Sequence, residues 1–375
     1  MDKNSNFFPA GVALGAAFIN RHQERLELKE KILSNQQVVL MAPRRYGKTS
    51  LVEKVIEDIA TPYCFMDLLA ADSIEYVQQQ MLGKVGKLVF NLLPKTKKAT
   101  EVILSIFKSM KPEISLGLMG QQLKLELSST ATQDITELLM KLDEVAVHAN
   151  KRAVIFIDEF QQISQLENYH TLEAAIRHAV ERSKNISYVF SGSNRQLLIQ
   201  MFGEQGRPLY RLCHLMSIDR MEESVYKEHL EILAKEKWKK TLSQESFSSI
   251  IKLTERHPFY FNMLCQLIWS QFDYPDEEMI ESLWENYVRT QRHIISHDIM
   301  QLSINQRRVV SALAANPICE PFSSNFVIPL KLSTSSVQQA IEVLLKKDVI
   351  FVDEEGYYRV LEPAVSYYLT KIVWG

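Results

Sequence analysis

Hydrophobic residues follow different spacings along the chain, and each spacing predicts a different kind of element. Three short apolar runs, at residues 37–41, 152–157 and 186–190, are typical of strands buried on both faces. Residues 68–150 instead carry an apolar position every three to four residues, which predicts helices. Within that stretch, residues 113–127 predict a two-stranded hairpin, because the second half alternates polar and apolar positions. Buried strands that alternate with helices predict an α/β fold with a parallel sheet.

The second half of the chain is predicted to be helical and to end in a winged helix. The helices of the middle region are predicted at residues 222–237, 243–255, 257–272 and 276–289. The winged helix is predicted from helices at residues 305–315, 323–328 and 334–347 and from strands at residues 349–352 and 357–360. These limits predict a core at residues 1–215 with an insertion at about 70–150, a helical lid at 216–300 and a winged-helix domain at 301–375.

The loop after the first predicted strand has the residues of a phosphate-binding loop. Gly47 allows backbone N–H groups to surround a phosphate, and Lys48 carries a charge toward the β and γ phosphates. Thr49 supplies a hydroxyl for Mg²⁺. A chance G-K-T tripeptide is disfavoured by the strand before it and the helix after it. The loop residues predicted to contact a nucleotide are Pro43, Arg44, Arg45, Tyr46, Gly47, Lys48, Thr49 and Ser50.

Polar residues end the other two predicted strands. Asp158 follows the second run, where a carboxylate holds Mg²⁺, and Glu159 is placed to orient and deprotonate the attacking water. The third run leads into Ser193 and Asn194, and a polar side chain at this strand tip would face the γ-phosphate and the water. Asn194 is therefore a candidate catalytic residue beside Glu159 and Lys48. Either Ser193 or Asn194 is equally suited to cap the helix predicted at residues 196–201.

Six motifs occur in a fixed order along the chain. They are F-I-N-R-H-Q-E at 18–24, A-P-R-R-Y-G-K-T-S-L at 42–51, V-I-F-I-D-E-F-Q at 154–161, F-S-G-S-N at 190–194, G-R-P-L-Y-R at 206–211 and R-H-P-F-Y at 256–260. Together they resemble the archaeal-type ATPases, a branch of the STAND class of P-loop ATPases that is allied to AAA+ proteins. The resemblance covers about residues 15–370 and implies an AAA+-like parallel-sheet core with a helical lid.

The resemblance also implies roles for residues outside the loop. Arg21 and Glu24 would help to enclose the nucleotide base. His257 and Pro258, at the start of a lid helix, would approach the nucleotide. Pro258 suits the first position of that helix, where its missing N–H costs nothing, and His257 is equally suited to cap it.

Two positions depart from the family pattern. Ala42 stands where the first glycine of the loop is usual, and no glycine separates Tyr210 from Arg211. Arg211 is implied as the arginine that senses the γ-phosphate or contacts another domain, with Arg207 as its rival. A surface ion pair is the alternative role for both arginines.

Composition narrows the function classes further. The 375 residues include 43 basic and 45 acidic side chains, so the net charge of −2 creates no field toward nucleic acid or a membrane surface. The four cysteines have no metal-site spacing, and no apolar run approaches the ~18 residues of a membrane-spanning helix. The sequence therefore predicts a cytoplasmic protein without a membrane partner.

A winged helix commonly binds DNA, but the charges here disfavour that use. Residues 303–375 carry seven basic and seven acidic side chains, and the predicted wing tip, residues 353–355, is wholly acidic. A wing that contacts phosphates should be basic. The serines and glutamines of the third helix still suit base contacts, so DNA is an unfavoured partner and a protein is the favoured one.

These observations and the resemblance together predict an ATP-binding switch protein that hydrolyses ATP slowly with Mg²⁺. Its lid and winged helix would couple the ATP or ADP state to the docking of a protein partner, and a nucleotide-dependent homo-oligomer is compatible with the resemblance. The alternative is a DNA-binding ATPase that helps replication, transposition or repair. The sequence leaves open the pathway, the partner, the oligomeric state and the choice between Arg207 and Arg211.

Overall fold

The computed structural model describes residues 7–373 except residues 10, 14, 20, 95, 118–119, 126–129 and 272. The chain divides into two compact units. The first unit, here named the core unit, is Arg21–Ile218. The second, here named the C-terminal unit, consists of residues 219–373 together with the described residues before position 20.

The core unit contains a parallel sheet, a separate two-stranded hairpin and α-helices. Its strands are β1 (Val38–Met41), β2 (Tyr63–Asp67), β3 (Glu113–Gly117), β4 (Gly120–Lys124), β5 (Ala153–Asp158), β6 (Ile186–Gly192) and β7 (His214–Ser217). Its α-helices are α1 (His22–Leu33), α2 (Lys48–Ile59), α3 (Ile74–Leu92), α4 (Lys97–Ile106), α5 (Ala131–His148), α6 (Tyr169–Arg182) and α7 (Arg195–Gly203). Short 3₁₀ helices cover Lys108–Met110 and Phe160–Gln165.

Five parallel strands form the main sheet in the order β2-β5-β6-β1-β7. This confirms the predicted parallel sheet, whose three central strands are the three apolar runs of the sequence. The carboxyl ends of parallel strands lie at one edge, so the residues after β1, β5 and β6 are brought together there. Strand β6 lies between β1 and β5 and carries Gly192 opposite Met41 of β1.

The insertion between β2 and β5 packs on the sheet as predicted. Helix α3 buries Val77, Met81, Val85 and Val89, the apolar positions that the sequence spaces at three to four residues. Strands β3 and β4 pair antiparallel, which confirms the hairpin. The apolar residues Ile114, Leu123 and Leu125 pack against the core, so the hairpin is a packed part of the core unit. The predicted turn at residues 118–119 and the predicted strand end at 126–127 lie outside the described residues.

The C-terminal unit is helical and ends in a winged helix, as predicted. Its first four α-helices are α8 (Glu223–Trp238), α9 (Gln244–Thr254), α10 (Pro258–Ser270) and α11 (Glu277–Met300). The winged helix comprises α12 (Ile304–Ala315), α13 (Ser324–Val327), α14 (Thr334–Lys346), β8 (Ile350–Val352) and β9 (Tyr358–Val360). Helix α15 (Pro363–Tyr367) and a π-helical segment (Tyr368–Val373) follow, and a 3₁₀ helix covers Gly15–Ala17.

One helix of this unit is longer than the sequence analysis predicted. The prediction ended it at Arg289, whereas α11 continues to Met300. The continuation has a physical basis, because residues 290–300 contain neither glycine nor proline and Ile295 continues the buried stripe of Trp284 and Val288. The helix predicted at 257–272 ends at Ser270, and residue 272 lies outside the described residues.

Candidate functional site

In the loop between β1 and α2, the side chain of Lys48 folds back onto the loop backbone. Gly47 has φ +85°, a left-handed conformation that favours glycine, and it is the N-cap of α2. The Lys48 ammonium donates to the carbonyls of Ala42 at 2.8 Å and Pro43 at 3.1 Å. The first turn of α2 directs its unbonded N–H groups and the positive end of its dipole into the same loop. The loop is therefore built to receive an anion.

The side chains predicted to contact a nucleotide fall into two groups by exposure. Arg44 and Arg45 are exposed on the loop. Thr49 is partly buried, and the side chains of Pro43, Tyr46, Lys48 and Ser50 are buried. Ala42, which replaces the usual glycine, is fully buried, and its N–H lies 3.5 Å from the Gly192 carbonyl. The methyl group at this position thus lies within the end of the sheet.

Arg21 contacts the backbone of the loop through its guanidinium group. It is 4% exposed, and one guanidinium nitrogen donates to the Tyr46 carbonyl at 3.1 Å. The other donates to the carboxylate of Glu24 at 2.8 Å, one helical turn further along the chain. The structure therefore places Arg21 and Glu24 beside the loop. Their contact with a base stays a prediction.

Thr49 and Asp158 meet across the edge of the sheet. The Thr49 hydroxyl donates to Asp158 Oδ2 at 2.9 Å, although the two residues are far apart in sequence. Asp158 Oδ1 accepts from the Glu159 N–H at 3.0 Å and from the Ser191 hydroxyl at 2.5 Å. One hydroxyl and one carboxylate fit Mg²⁺, which binds proteins through few ligands and takes others from phosphates and water. Among the described residues no cluster of three or more His, Cys, Asp or Glu forms a metal site.

Glu159 follows immediately in a left-handed conformation, with φ +51°. Its Oε2 accepts from the Gln161 amide at 2.5 Å and from the Ser193 hydroxyl at 2.8 Å. Ser191, Ser193 and Gln161 thus surround the acidic pair, and the sequence analysis missed Ser191 and Gln161. The signal that could have found Ser191 is its position near the end of a buried strand, because a buried hydroxyl requires a partner.

Asn194 has the capping role that the sequence analysis left open. Its Oδ1 accepts from the Leu197 N–H at 3.0 Å, so it is the N-cap of α7. Ser193, the residue before it, provides the contact with Glu159. At this strand tip the structure brings Ser193, rather than Asn194, into hydrogen-bond contact with the acidic pair.

Neither candidate arginine lies at the loop. Arg207 forms an ion pair of 2.5 Å with Glu173 and donates to the Tyr169 hydroxyl at 3.0 Å, which is a structural role, although the pair is largely buried and the alternative prediction is a surface pair. Arg211 is exposed and lies three residues before β7, at the amino-terminal edge of the sheet. The P-loop and the acidic pair lie at the carboxyl edge, so the structure does not bring Arg211 to them within the core unit.

His257 and Pro258 belong to the C-terminal unit. Pro258 is the first residue of α10, as predicted, and His257 is its N-cap residue without a capping bond from the side chain. The His257 ring is buried and packs edge-on against Tyr260 at 5.0 Å between ring centres. Their approach to a nucleotide stays a prediction.

Solved structures of two archaeal proteins are similar to the whole chain. The Walker-type ATPase PABY2304 of Pyrococcus abyssi matches with a TM-score of 0.70 and 18% identity, over 97% of this chain and 99% of that chain. The ORC2 protein of Aeropyrum pernix, in complexes with ADPNP and ADP, matches with a TM-score of 0.56 and 10% identity, over 99% and 97%. At these identities the similarity shows a common fold.

The family model that matches the site residues is an ATPase model. No sequence match was found among curated proteins. A family model described as "Probable winged helix domain" matches residues 295–371. A second, described as "ATPase domain predominantly from Archaea", matches residues 18–264, well over half of the chain and all of the loop, the acidic pair and their neighbours. The chain therefore belongs to the family of ATPase domains found predominantly in archaea.

Proposed function

We propose that the chain binds ATP with Mg²⁺ and hydrolyses it at the carboxyl edge of the sheet. The observation that carries this proposal is the hydrogen bond of 2.9 Å between Thr49 and Asp158. It joins the phosphate-binding loop to the acidic strand end, so that the two predicted Mg²⁺ ligands and the predicted general base lie within one hydrogen-bonded group. Membership of an ATPase family supports the same chemistry.

Each residue of this group has a defined task in the proposal. Lys48 exchanges its carbonyl partners for the β and γ phosphates, and the N–H groups around Gly47 bind the same phosphates. Thr49 and Asp158 would hold Mg²⁺, and the ion would supply positive charge to the phosphates. Glu159 orients a water molecule and accepts its proton.

We further propose that the ATP or ADP state controls docking of a protein partner through the C-terminal unit. The division of the chain into two units supports a switch, since each has its own hydrophobic core. On the winged helix, Phe322 and Ile328 are exposed and offer apolar contact to a partner, whereas Phe326 is buried in the domain core. Tyr357 and Tyr358 are partly buried.

Two finer expectations belong to this proposal. A nucleotide-dependent homo-oligomer would give Arg211 a role, because it is exposed at the edge of the sheet remote from the loop of its own chain. DNA binding is the second candidate function, favoured by the winged helix itself. The charges of the winged helix favour a protein partner over DNA. On α14 the exposed face carries two uncharged side chains and one acidic side chain, Gln338, Gln339 and Glu342.

The substitution Lys48→Ala tests the proposal. Calorimetry with ATP and Mg²⁺ should show that affinity falls by at least about 100-fold, because two charge-assisted contacts to phosphate are lost. Lys54→Ala is the matched control on the same helix, since Lys54 pairs with Glu57 and Asp58 and should leave the affinity unchanged. Equal ATP affinity in Lys48→Ala and the wild type would refute the assignment of the loop.

A further inference from the structure

Gln161 is buried against the acidic pair, although it lies in neither the loop nor the strands. It is the second residue of the 3₁₀ helix Phe160–Gln165 and is 3% exposed. Its Nε2 donates to Glu159 Oε2 at 2.5 Å and lies 3.5 Å from the Ser193 hydroxyl. The reverse orientation of the amide would place two acceptor oxygens against each other, so the carboxylate fixes the amide as a donor.

The amide oxygen of Gln161 lies against Gly192, where a side chain would collide with it. A Cβ atom on Gly192 would overlap Gln161 Oε1 and lie 2.9 Å from Gln161 Cδ. The φ angle of Gly192 is not in the left-handed region, so space rather than backbone conformation limits the residue at this position. Gly192 is the last residue of β6, and the strand end is therefore shaped to accommodate the Gln161 side chain.

Burial of this amide carries an energetic cost that packing alone does not explain. Among the described residues, Gln161 Oε1 has no hydrogen-bond partner and is shielded from solvent. An unpartnered buried carbonyl destabilises the fold, and a methionine of about the same length would avoid that penalty. Such an unsatisfied atom calls for an explanation, and a role in catalysis is one of the recognised explanations.

We infer that Gln161 is a positioning residue for the general base, an inference that rests on the proposed hydrolysis of ATP. Its amide and the Ser193 hydroxyl hold Glu159 through one oxygen, Oε2. The described residues donate no hydrogen bond to Oε1, which is the oxygen that accepts the proton of the attacking water. Gly192 provides the space that keeps the Gln161 amide in place.

The substitution Gln161→Met tests this inference, because it keeps the length of the side chain and removes the donor. The turnover number kcat should fall about 10- to 100-fold, the loss expected when a catalytic group is misplaced. The Kd for ATP should stay within about 2-fold, since the loop is untouched. Gln165→Leu, at the exposed end of the same 3₁₀ helix, is the matched control and should retain wild-type kcat.

Two further variants separate positioning from a general structural effect. In a Glu159→Gln background, Gln161→Met should lower kcat no further than about 2-fold, because the base that it positions is already absent. Gly192→Ala leaves both side chains chemically intact and should reproduce the kcat loss by displacing the amide. Without nucleotide, the losses in Tm of Glu159→Ala and Gln161→Met should be non-additive, which reports the contact independently of turnover.

The possible results distinguish this inference from the proposed function. If the wild type hydrolyses ATP and Gln161→Met has the same kcat, the positioning role is wrong and the proposed function stands. A parallel fall in ATP affinity would also overturn the inference, since it would indicate a structural role. If the wild type has no turnover, both the inference and the proposed hydrolysis are overturned.

Discussion

Asp158 and Glu173 are both carboxylates of the core unit, but their surroundings differ. Asp158 accepts three hydrogen bonds from Thr49, Ser191 and the N–H of Glu159. Glu173 is fully buried and receives Arg207 on one oxygen, while its Oε2 has no hydrogen-bond partner among the described residues. Burial raises the pKa of Glu173 to about 7, and the charge of Arg207 opposes this only in part.

The raised pKa of Glu173 predicts a pH-dependent stability. A folded-state pKa of about 7, above the ordinary 4.5, means that folding favours the protonated acid. The resulting stability is fully present below pH 4.5 and is lost as the pH rises through about 7. Relative to Glu173→Gln, the free energy of unfolding of the wild type should fall by roughly 2–3 kcal/mol between about pH 5 and about pH 8.

Denaturant unfolding across this pH range measures the effect. Glu181→Gln on the same helix is the control, because Glu181 is exposed beside Arg177 and its difference from the wild type should be nearly constant. A constant difference for Glu173→Gln as well would mean that Glu173 stays ionised in its pair with Arg207.

At the scale of single residues, the sequence predicted the chemistry of the site better than its contacts. Gly47, Lys48, Thr49 and Asp158 follow from short-range motifs, and the structure brings them to one edge of the sheet. Gln161 could not be predicted in this way. Its partner Glu159 is only two residues away, but its burial depends on Gly192 and Ser193, which lie more than 30 positions further along the chain, and no local pattern marks a glutamine that fits against a distant glycine.

At the scale of elements, the residues between strand β6 and helix α7 have two functions: one contacts the acidic pair and the next caps the helix. Strand β6 ends at Gly192, Ser193 bonds to the acidic pair and Asn194 caps the helix that follows. Adjacent residues of an extended backbone point in opposite directions, so one side chain can reach the site while the next turns toward the helix. The two functions that the sequence left as alternatives are divided between neighbours.

This division predicts opposite effects for two substitutions. Asn194→Ala should lower the free energy of unfolding by about 1 kcal/mol, the usual cost of a lost cap, with kcat within about 2-fold of the wild type. Asn194→Ser, which retains a capping oxygen, is the matched control for stability. Ser193→Ala should instead reduce kcat and leave the helix capped. A large loss of kcat in Asn194→Ala at unchanged stability would restore Asn194 as a catalytic residue.

The strands of the main sheet that the sequence missed, β2 and β7, are those with mixed exposure. Strands β1, β5 and β6 are buried almost throughout, so each gives a continuous apolar run. Strands β2 and β7 form the two edges of the sheet and expose much of their length, which leaves no such run. Edge strands are therefore specified mainly by pairing with a neighbour, which local spacing does not report.

At the scale of the whole molecule, the helices predicted as a lid (α8–α11) and the winged helix belong to one compact unit, the C-terminal unit. The guanidinium of Arg220 donates to the carbonyl and carboxylate of Glu255 and to the Leu361 carbonyl, and it stacks on Phe351 at 4.6 Å. The Tyr260 hydroxyl donates to Glu362 at 2.6 Å. These bonds join α9 and α10 to the end of the winged helix. Within this unit we expect the winged helix to move together with the lid helices.

Among the described residues no helix is long and apolar enough to cross a membrane.

The wing of this unit is chemically unsuited to a phosphate backbone. Asp353 accepts from Arg359 at 2.5 Å and from the N–H groups of Glu355 and Tyr357, so the basic residue of strand β9 is already neutralised. Glu354 and Glu355 remain exposed at the tip. An approaching phosphate would therefore meet two uncompensated negative charges and no available cation among these residues of the wing.

We therefore expect the full chain to bind random duplex DNA no more tightly than the non-specific range of about 10⁻⁴ to 10⁻⁶ M at physiological salt. Fluorescence anisotropy with a labelled duplex measures this, with and without ATP and Mg²⁺. The paired substitution Glu354→Gln and Glu355→Gln is the informative comparison, because removing two repulsive charges should strengthen the weak binding only if the wing faces the duplex. Nanomolar, sequence-selective binding by the wild type would contradict the docking proposal and make a DNA-binding ATPase the preferred function. Weak binding that both proteins share would instead support a winged helix whose partner is a protein.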